Sequence, residues 1–168
     1  MSRLANASTI CEEAVIRGDV IFGANNVVHP KCRIVSEGGG QIFIGSNNII
    51  EENVLITNWQ EDPMYIGDDN IFEVGSQFEG AKMGNGCIVE PKAIVSQGTS
   101  IGDNCVIGAM CTTFREEHIP SDTVLFGSLH ERRLQTKLTR MQVNLHSRHL
   151  DYLKEVLPKY HHLKPGKN

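Results

Sequence analysis

An apolar residue recurs at every sixth position through most of this chain, and few folds can accommodate that period. From Ile10 the step of six reaches Ile16, Phe22, Val28 and Ile34. After Gly38-Gly39-Gly40 it resumes at Ile44, Ile50 and Ile56, and after the stretch from Asn58 to Met64 at Ile66, Phe72 and Phe78. One residue is then dropped, and an unbroken run follows: Met83, Val89, Val95, Ile101, Ile107, Thr113, Ile119 and Leu125. Of these 19 positions 18 are apolar, Thr113 being the exception. An amphipathic helix would instead place apolar residues at i, i+3, i+4 and i+7.

A second register lies four residues after the first. It reads Ala14, Val20, Asn26, Cys32, Asn48, Val54, Asn70, Ser76, Cys87, Ala93, Thr99, Cys105, Cys111 and Thr123, mostly small residues. A large aliphatic followed at +4 by a small residue is the hexapeptide pattern of a parallel β-helix. Three hexads make one triangular coil of 18 residues, with the large side chain inward and the small one near a corner. The segments Gly23-Ala24-Asn25-Asn26, Gly45-Ser46-Asn47-Asn48, Gly67-Asp68-Asp69-Asn70, Gly84-Asn85-Gly86 and Gly102-Asp103-Asn104 recur at spacings of 22, 22, 17 and 18. Gly and Asn tolerate the positive φ that a sharp corner demands. Nineteen hexads give a little over six coils, a prism roughly 30 Å long at the ~4.8 Å spacing of paired strands.

The ends of such a prism carry unpaired backbone groups that need covering. Leu134, Leu138, Met141 and Leu145 sit at helical spacing, as do Leu150, Leu153 and Leu157. The main helix is expected within Met141–Leu157, limited near Leu157 by Pro158 and lying against the coils. Residues 129–140 read as a linker or an earlier helical turn. The domain reading is a β-helix over 7–128 and a helical segment with a basic tail over 129–168. Charge follows the same division. Residues 1–128 hold 7 Lys+Arg against 17 Asp+Glu, and residues 129–168 hold 9 against 3. The tail is too apolar for a simple charged arm, so docking on its own body is the first reading, and an acidic partner, a protein or a nucleic acid, is the second.

No run approaches the ~18 apolar residues of a membrane span, and the N-terminus lacks the apolar stretch of a secretory signal, so a cytosolic chain is expected. The five cysteines, Cys11, Cys32, Cys87, Cys105 and Cys111, form no CxxC pair. An odd count in such a chain argues against a disulfide framework. Four of them fall in the small register, where a thiol packs as a small hydrophobe.

Hexapeptide prisms host two familiar enzyme classes, and each makes a demand on histidine. The zinc-dependent, carbonic-anhydrase-like class needs three imidazoles on the metal. Arg17-Gly18-Asp19 and Ile50-Glu51-Glu52 resemble that class, but the stretch matching its histidines, Val74 to Met83, contains none. Glu73 and Glu79 alone would make an unusual zinc site. The acyltransferases use one histidine as general base, and the prism offers only His29 and His118. His146 and His149 are three apart on the expected helix but stand beside Arg148. His161-His162 reads as basic surface. The Arg17-Gly18-Asp19 tripeptide fits a structural role better than integrin recognition, with Arg17 and Asp19 free to pair across coils. No aromatic platform accompanies the basic residues, which argues against single-stranded nucleic acid. No catalytic, cofactor-binding or metal residue is assigned.

The whole chain resembles the dynactin subunit 6 family, within the carbonic-anhydrase-like superfamily of left-handed hexapeptide β-helices. The residues carrying this are Ile16–Val20, Val28–Ile34, Asn48–Glu52, Asn70–Gly75 and, outside the repeat, Leu157-Pro158-Lys159-Tyr160-His161-His162-Leu163-Lys164. The resemblance covers about residues 7–164. It implies an all-β fold, a left-handed parallel β-helix with a C-terminal α-helix packed along it. It also implies a non-enzymatic structural subunit of dynactin's pointed-end complex, supporting dynein-driven microtubule transport and cargo attachment. The partners implied are dynactin subunit 5 in a heterodimer, the pointed-end actin-related protein and dynactin subunit 4. No nucleic acid, membrane insertion, small-molecule substrate or cofactor is implied, and the location is cytoplasmic, on the microtubule cytoskeleton and centrosome. The excursion at Asn58–Met64 is shorter than the family leads one to expect, and Arg132–Asn144 is more helical and less proline-rich. The alternative is a homotrimeric hexapeptide-repeat acyltransferase or metal-dependent hydratase.

Overall fold

Short parallel strands stack into three flat sides, as the period of six demands. The computed structural model describes residues 8–135 and 140–165, with side chains at all of these except 140–144. Side 1 runs through Thr9–Ile10, Val27–Val28, Ile49–Ile50, Ile71–Phe72, Ile88–Val89, Val106–Ile107 and Thr123–Phe126. Side 2 runs through Val15–Arg17, Arg33–Ser36, Leu55–Asn58, Gln77–Phe78 and Ile94–Val95, with Thr112 bridged to Ile94. Side 3 runs through Val20–Phe22, Ile42–Ile44, Met64–Ile66, Lys82–Met83, Ser100–Ile101 and His118–Ile119. Every pairing along these three sides is parallel, and each strand meets the equivalent strand of the next coil, as Val27↔Ile49 and Phe43↔Tyr65. The result is a parallel β-solenoid of about six coils.

The large register fills the interior. Eighteen of its 19 positions are buried; Ile16, on the edge strand of side 2, is only partly covered. Thr113 is buried too, and it is satisfied: Ser96 N–H donates to its Oγ1 at 2.8 Å, and the Thr99 hydroxyl lies 2.9 Å away. Burying such a hydroxyl without partners would cost on the order of 1–3 kcal/mol. The small register is also buried at all 14 positions, but it is more polar in its work than a packing reading implies. Asn26, Asn48 and Asn70 form a ladder. Asn48 N–H and Nδ2 donate to Asn26 Oδ1 at 3.0 and 3.1 Å, Asn70 N–H donates to Asn48 Oδ1 at 3.0 Å, and Cys87 N–H donates to Asn70 Oδ1 at 2.8 Å. The column then continues in thiols: Cys87 Sγ donates to Gly102 O at 3.1 Å and Cys105 Sγ to Pro120 O at 3.1 Å. These cysteines are therefore corner donors as well as small fillers.

At the same corner the positive φ falls on Asn25, Asn47, Asp69, Gly86 and Asn104, not on the leading glycines. The leading glycines serve close approach instead. A Cβ on Gly45 would lie 2.6 Å from Gly67 O of the next coil. The two insertions stack on one another at the corner between sides 2 and 3. Gly40 N–H donates to Gln60 O at 2.9 Å, and a Cβ on Gly40 would meet Asp62 O at 2.2 Å. Buried Asn58 binds the pair together, donating to Gly40 O at 3.1 Å and Asp62 O at 2.9 Å and accepting from Gln60 N–H at 3.0 Å.

The C-terminal region departs from its reading in three places. Helix α1 spans Arg140–Tyr160, so it passes Pro158 instead of stopping at Leu157. Pro removes one N–H, and so near a helix end the loss is a single bond; His161 N–H still closes on Leu157 O at 2.9 Å. Residues Glu131–Leu134 are neither linker nor helix but a strand antiparallel to Thr123–Phe126 at the end of side 1. Leu134 is accordingly exposed, Leu145 is exposed on α1, and Leu138 and the Met141 side chain lie outside what is described. The second leucine set behaves as expected: Leu150, Leu153 and Leu157 bury themselves on the outer face of side 1, against Cys11, Val27, Ile49 and Ile71. Each such burial is worth about 1.5–3 kcal/mol. Beyond the helix, Leu163 bridges antiparallel to Cys11, and Lys164 N–H donates to Ile10 O at 2.7 Å. The tail thus covers the free edge of the first coil.

Candidate interaction surfaces

The residues with chemical capacity are scattered along the prism. His29 is buried at the corner after side 1, with Nδ1 3.0 Å from Glu52 Oε1. Burial works against the Glu52 carboxylate, but a backbone amide and His29 outweigh it and hold its pKa below the usual range. His118 stands exposed on side 3 at the far end, so the two prism histidines share no site. It lines a cleft of about 270 Å³ with Arg132, Arg133 and Leu134. Among the described residues its ring has no carboxylate to orient it, as a general base would need.

Glu73 and Glu79 sit after sides 1 and 2 respectively, at different corners. Glu73 lies in a column with Glu51 and Glu90; burial first, then those two charges, raise its pKa. The neighbours are engaged, Glu51 accepting from Val74 N–H and Glu90 from Ala109 N–H, both at 3.0 Å. Among the described residues no group of three His, Cys, Asp or Glu could hold a metal ion. His146 Nε2 lies 2.8 Å from Asn47 O, so it ties α1 to the coils, while His161 and His162 are exposed beside the first coil. Burial pushes the Cys11 thiol up to about 11 and Cys32 to about 12, which makes both unreactive. Asp19 accepts a hydrogen bond from Gln41 Nε2, a neutral side chain of the next coil.

The outer faces differ in what covers them. Side 1 is closed by α1 over its first coils. A groove of about 670 Å³ opens between the first half of α1 and the corner column, lined by Leu145, His146, His149, Asn85 and Asn104. Side 3 is open. Its outward column begins Ile21, Phe43, Tyr65, and the Phe43 and Tyr65 rings stack with centroids 5.1 Å apart and planes 7° from parallel. Trp59 stands on the loop that leads into the Tyr65 strand. Trp59 is 53% exposed and Tyr65 48%. Sequence reasoning passed over this pair; the signal was two aromatics 22 residues apart, one coil with its insertion.

Known proteins match this geometry at two levels. Residues 80–115 match the family model of the bacterial transferase hexapeptide (six repeats). A dynactin subunit 6 of Nematostella vectensis is 43% identical over 172 residues, covering 96% of this chain and 91% of that protein. The chain belongs to the dynactin subunit 6 family. Dynactin subunit 6 of Danio rerio is 40% identical, covering 96% and 87%, and that of Dictyostelium discoideum 38% identical, covering 95% and 86%. Similarity to these dynactin subunits extends over the C-terminal segment as well as the coils. Among solved structures, a hexapeptide transferase family protein from Anaplasma phagocytophilum superposes with a TM-score of 0.63 at 16% identity, covering 95% of this chain and 92% of that one. A UDP-N-acetylglucosamine O-acyltransferase from Moraxella catarrhalis gives 0.52 at 13% identity, covering 95% and 90%. Those two likenesses concern the fold alone.

Proposed function

We propose that this dynactin subunit 6 family member is a non-enzymatic structural subunit of the dynactin pointed-end complex. In this reading it pairs with dynactin subunit 5 and sits with the pointed-end actin-related protein and dynactin subunit 4. There it supports dynein-driven transport in the cytoplasm on the microtubule cytoskeleton. The observation that carries the reading is the 38–43% identity to dynactin subunits over nearly the whole chain. The dispersal of His29, His118, Glu73 and Glu79 to separate corners agrees with it. A rigid prism offers flat faces with little ordering cost on association, which suits a scaffold.

The test is affinity purification of the tagged full chain from native cytosol at moderate salt, read by mass spectrometry. Co-purification of actin-related filament subunits and dynactin subunit 5 at near-equal stoichiometry is the expected result. Recovery of the chain alone as a homotrimer would overturn it and bring acyl-transfer and metal-dependent hydration assays forward.

A further inference from the structure

The corner between sides 2 and 3 carries more construction than the solenoid requires. A plain coil needs 18 residues, yet two successive coils each carry four more, stacked on one another. The stack is built rigidly. Asn58 is buried and spends its amide on Gly40 O, Gln41 O and Asp62 O while accepting from Gln60 N–H. What this rigid loop displays is Trp59, the one tryptophan of the chain, at 53% exposure. Directly after it, exposed Tyr65 stacks on Phe43 in the outward column of side 3. Aromatics held by a stack, as Phe43 and Tyr65 are, are what interface centres are made of, because their ordering cost is already met.

The rim has one predominant sign. Asp19, Glu37, Glu61 and Asp62 lie on this corner, against Arg17 at its edge and Lys82 one coil beyond Tyr65. None of the four carboxylates is ion-paired among the described residues. We propose that the Phe43–Tyr65 column of side 3, together with Trp59 on the corner loop that leads into it, is a docking surface for an arginine-bearing basic segment of a partner protein. Guanidinium groups stack on aromatic faces and pair with carboxylates in one geometry, which lysine does less well. The acidic rim speeds and orients the encounter. The proposal adds a face and a partner chemistry to the assembly reading, and rests on it only in supposing that this face has a partner.

The test uses the isolated full chain, so its outcome is independent of dynactin membership. Trp59, as the sole tryptophan, reports directly by its fluorescence. The probes are an Arg-Gly octapeptide, its Lys-Gly counterpart and its Glu-Gly counterpart, titrated at low salt. The expected result is a saturable change for the arginine peptide, several-fold weaker for lysine and none for glutamate. Tyr65→Ser, and separately Glu61→Gln with Asp62→Asn, should each weaken arginine binding at least fivefold while melting temperatures fall by no more than a few degrees. No saturable change, equal binding of the glutamate peptide, or equal affinity in Tyr65→Ser would overturn it. So would a homodimer by light scattering that Tyr65→Ser abolishes, since the occupant would then be a second copy.

Discussion

Side 1 and side 3 are built from the same pleat, over the same coils, and meet opposite fates. On side 1 the outward residues Cys11, Val27, Ile49 and Ile71 lie under Leu150, Leu153 and Leu157 of α1. On side 3 no described element packs over the equivalent column of Ile21, Phe43 and Tyr65, and Tyr65 is half exposed. Both columns are apolar, so the solenoid alone does not decide which face is covered. The chain supplies its own cover for one and leaves the other with an aromatic stack and an acidic rim. Exposed aromatic surface costs solubility, and it persists most readily where another protein covers it.

This contrast can be broken from either side. Replacing Leu153 and Leu157 with Asp should cause the largest change, a loss of about 3–5 kcal/mol in urea unfolding, because carboxylates cannot stay in the apolar seam. Exchange at the amides of Val27 and Ile49 should rise in the same variant; an unchanged unfolding midpoint would mean that α1 is not a cover. Asn48→Ala should cost less, about 2 kcal/mol, by leaving Asn70 N–H and Gly67 O without their partner. Calorimetry would read this, and a neutral result would reduce the asparagine ladder to packing.

Tyr65→Ser on the open face should cost about 1 kcal/mol or less, the worth of one exposed ring pair, while binding to the arginine peptide falls. A large stability loss there would make side 3 a structural face like side 1. The smallest effects concern pH at the corner leaving side 1. Glu52 has a depressed pKa, so its contribution is present above the ordinary carboxylate pKa and is lost as pH falls through the folded value. Glu73 has a raised pKa, so ionising it costs stability at neutral pH and the cost vanishes in acid. Glu52→Gln should therefore lower, and Glu73→Gln raise, the neutral-pH stability by a few tenths of a kcal/mol each. Both differences should shrink towards pH 3 in thermal melts.

The interior was legible because it follows a strict period. Every residue in the two registers except Ile16 is buried, and Ile16 lies on an edge strand that the periodicity cannot see. The seam of Leu150, Leu153 and Leu157 was legible for the same reason. The strand Glu131–Leu134 was not. Its pairing with Thr123–Phe126 is set by a free edge at the end of the prism, while its sequence, Glu-Arg-Arg-Leu, carries no strand alternation. Pro158 misled because proline marks where a helix is weakened, and a final turn needs only one bond to continue past it. The Phe43–Tyr65 stack was hidden by the insertions, which move the two rings 22 residues apart in a chain whose coil is 18.

The most direct test of the account is hydroxyl-radical footprinting of the full chain, free in solution and within natively purified dynactin. The account predicts that Trp59 and Tyr65 oxidise readily in the free chain and are protected in the complex, with Leu150, Leu153 and Leu157 protected in both. Equal oxidation of Trp59 and Tyr65 in the two states, or absence of the chain from purified dynactin, would contradict it.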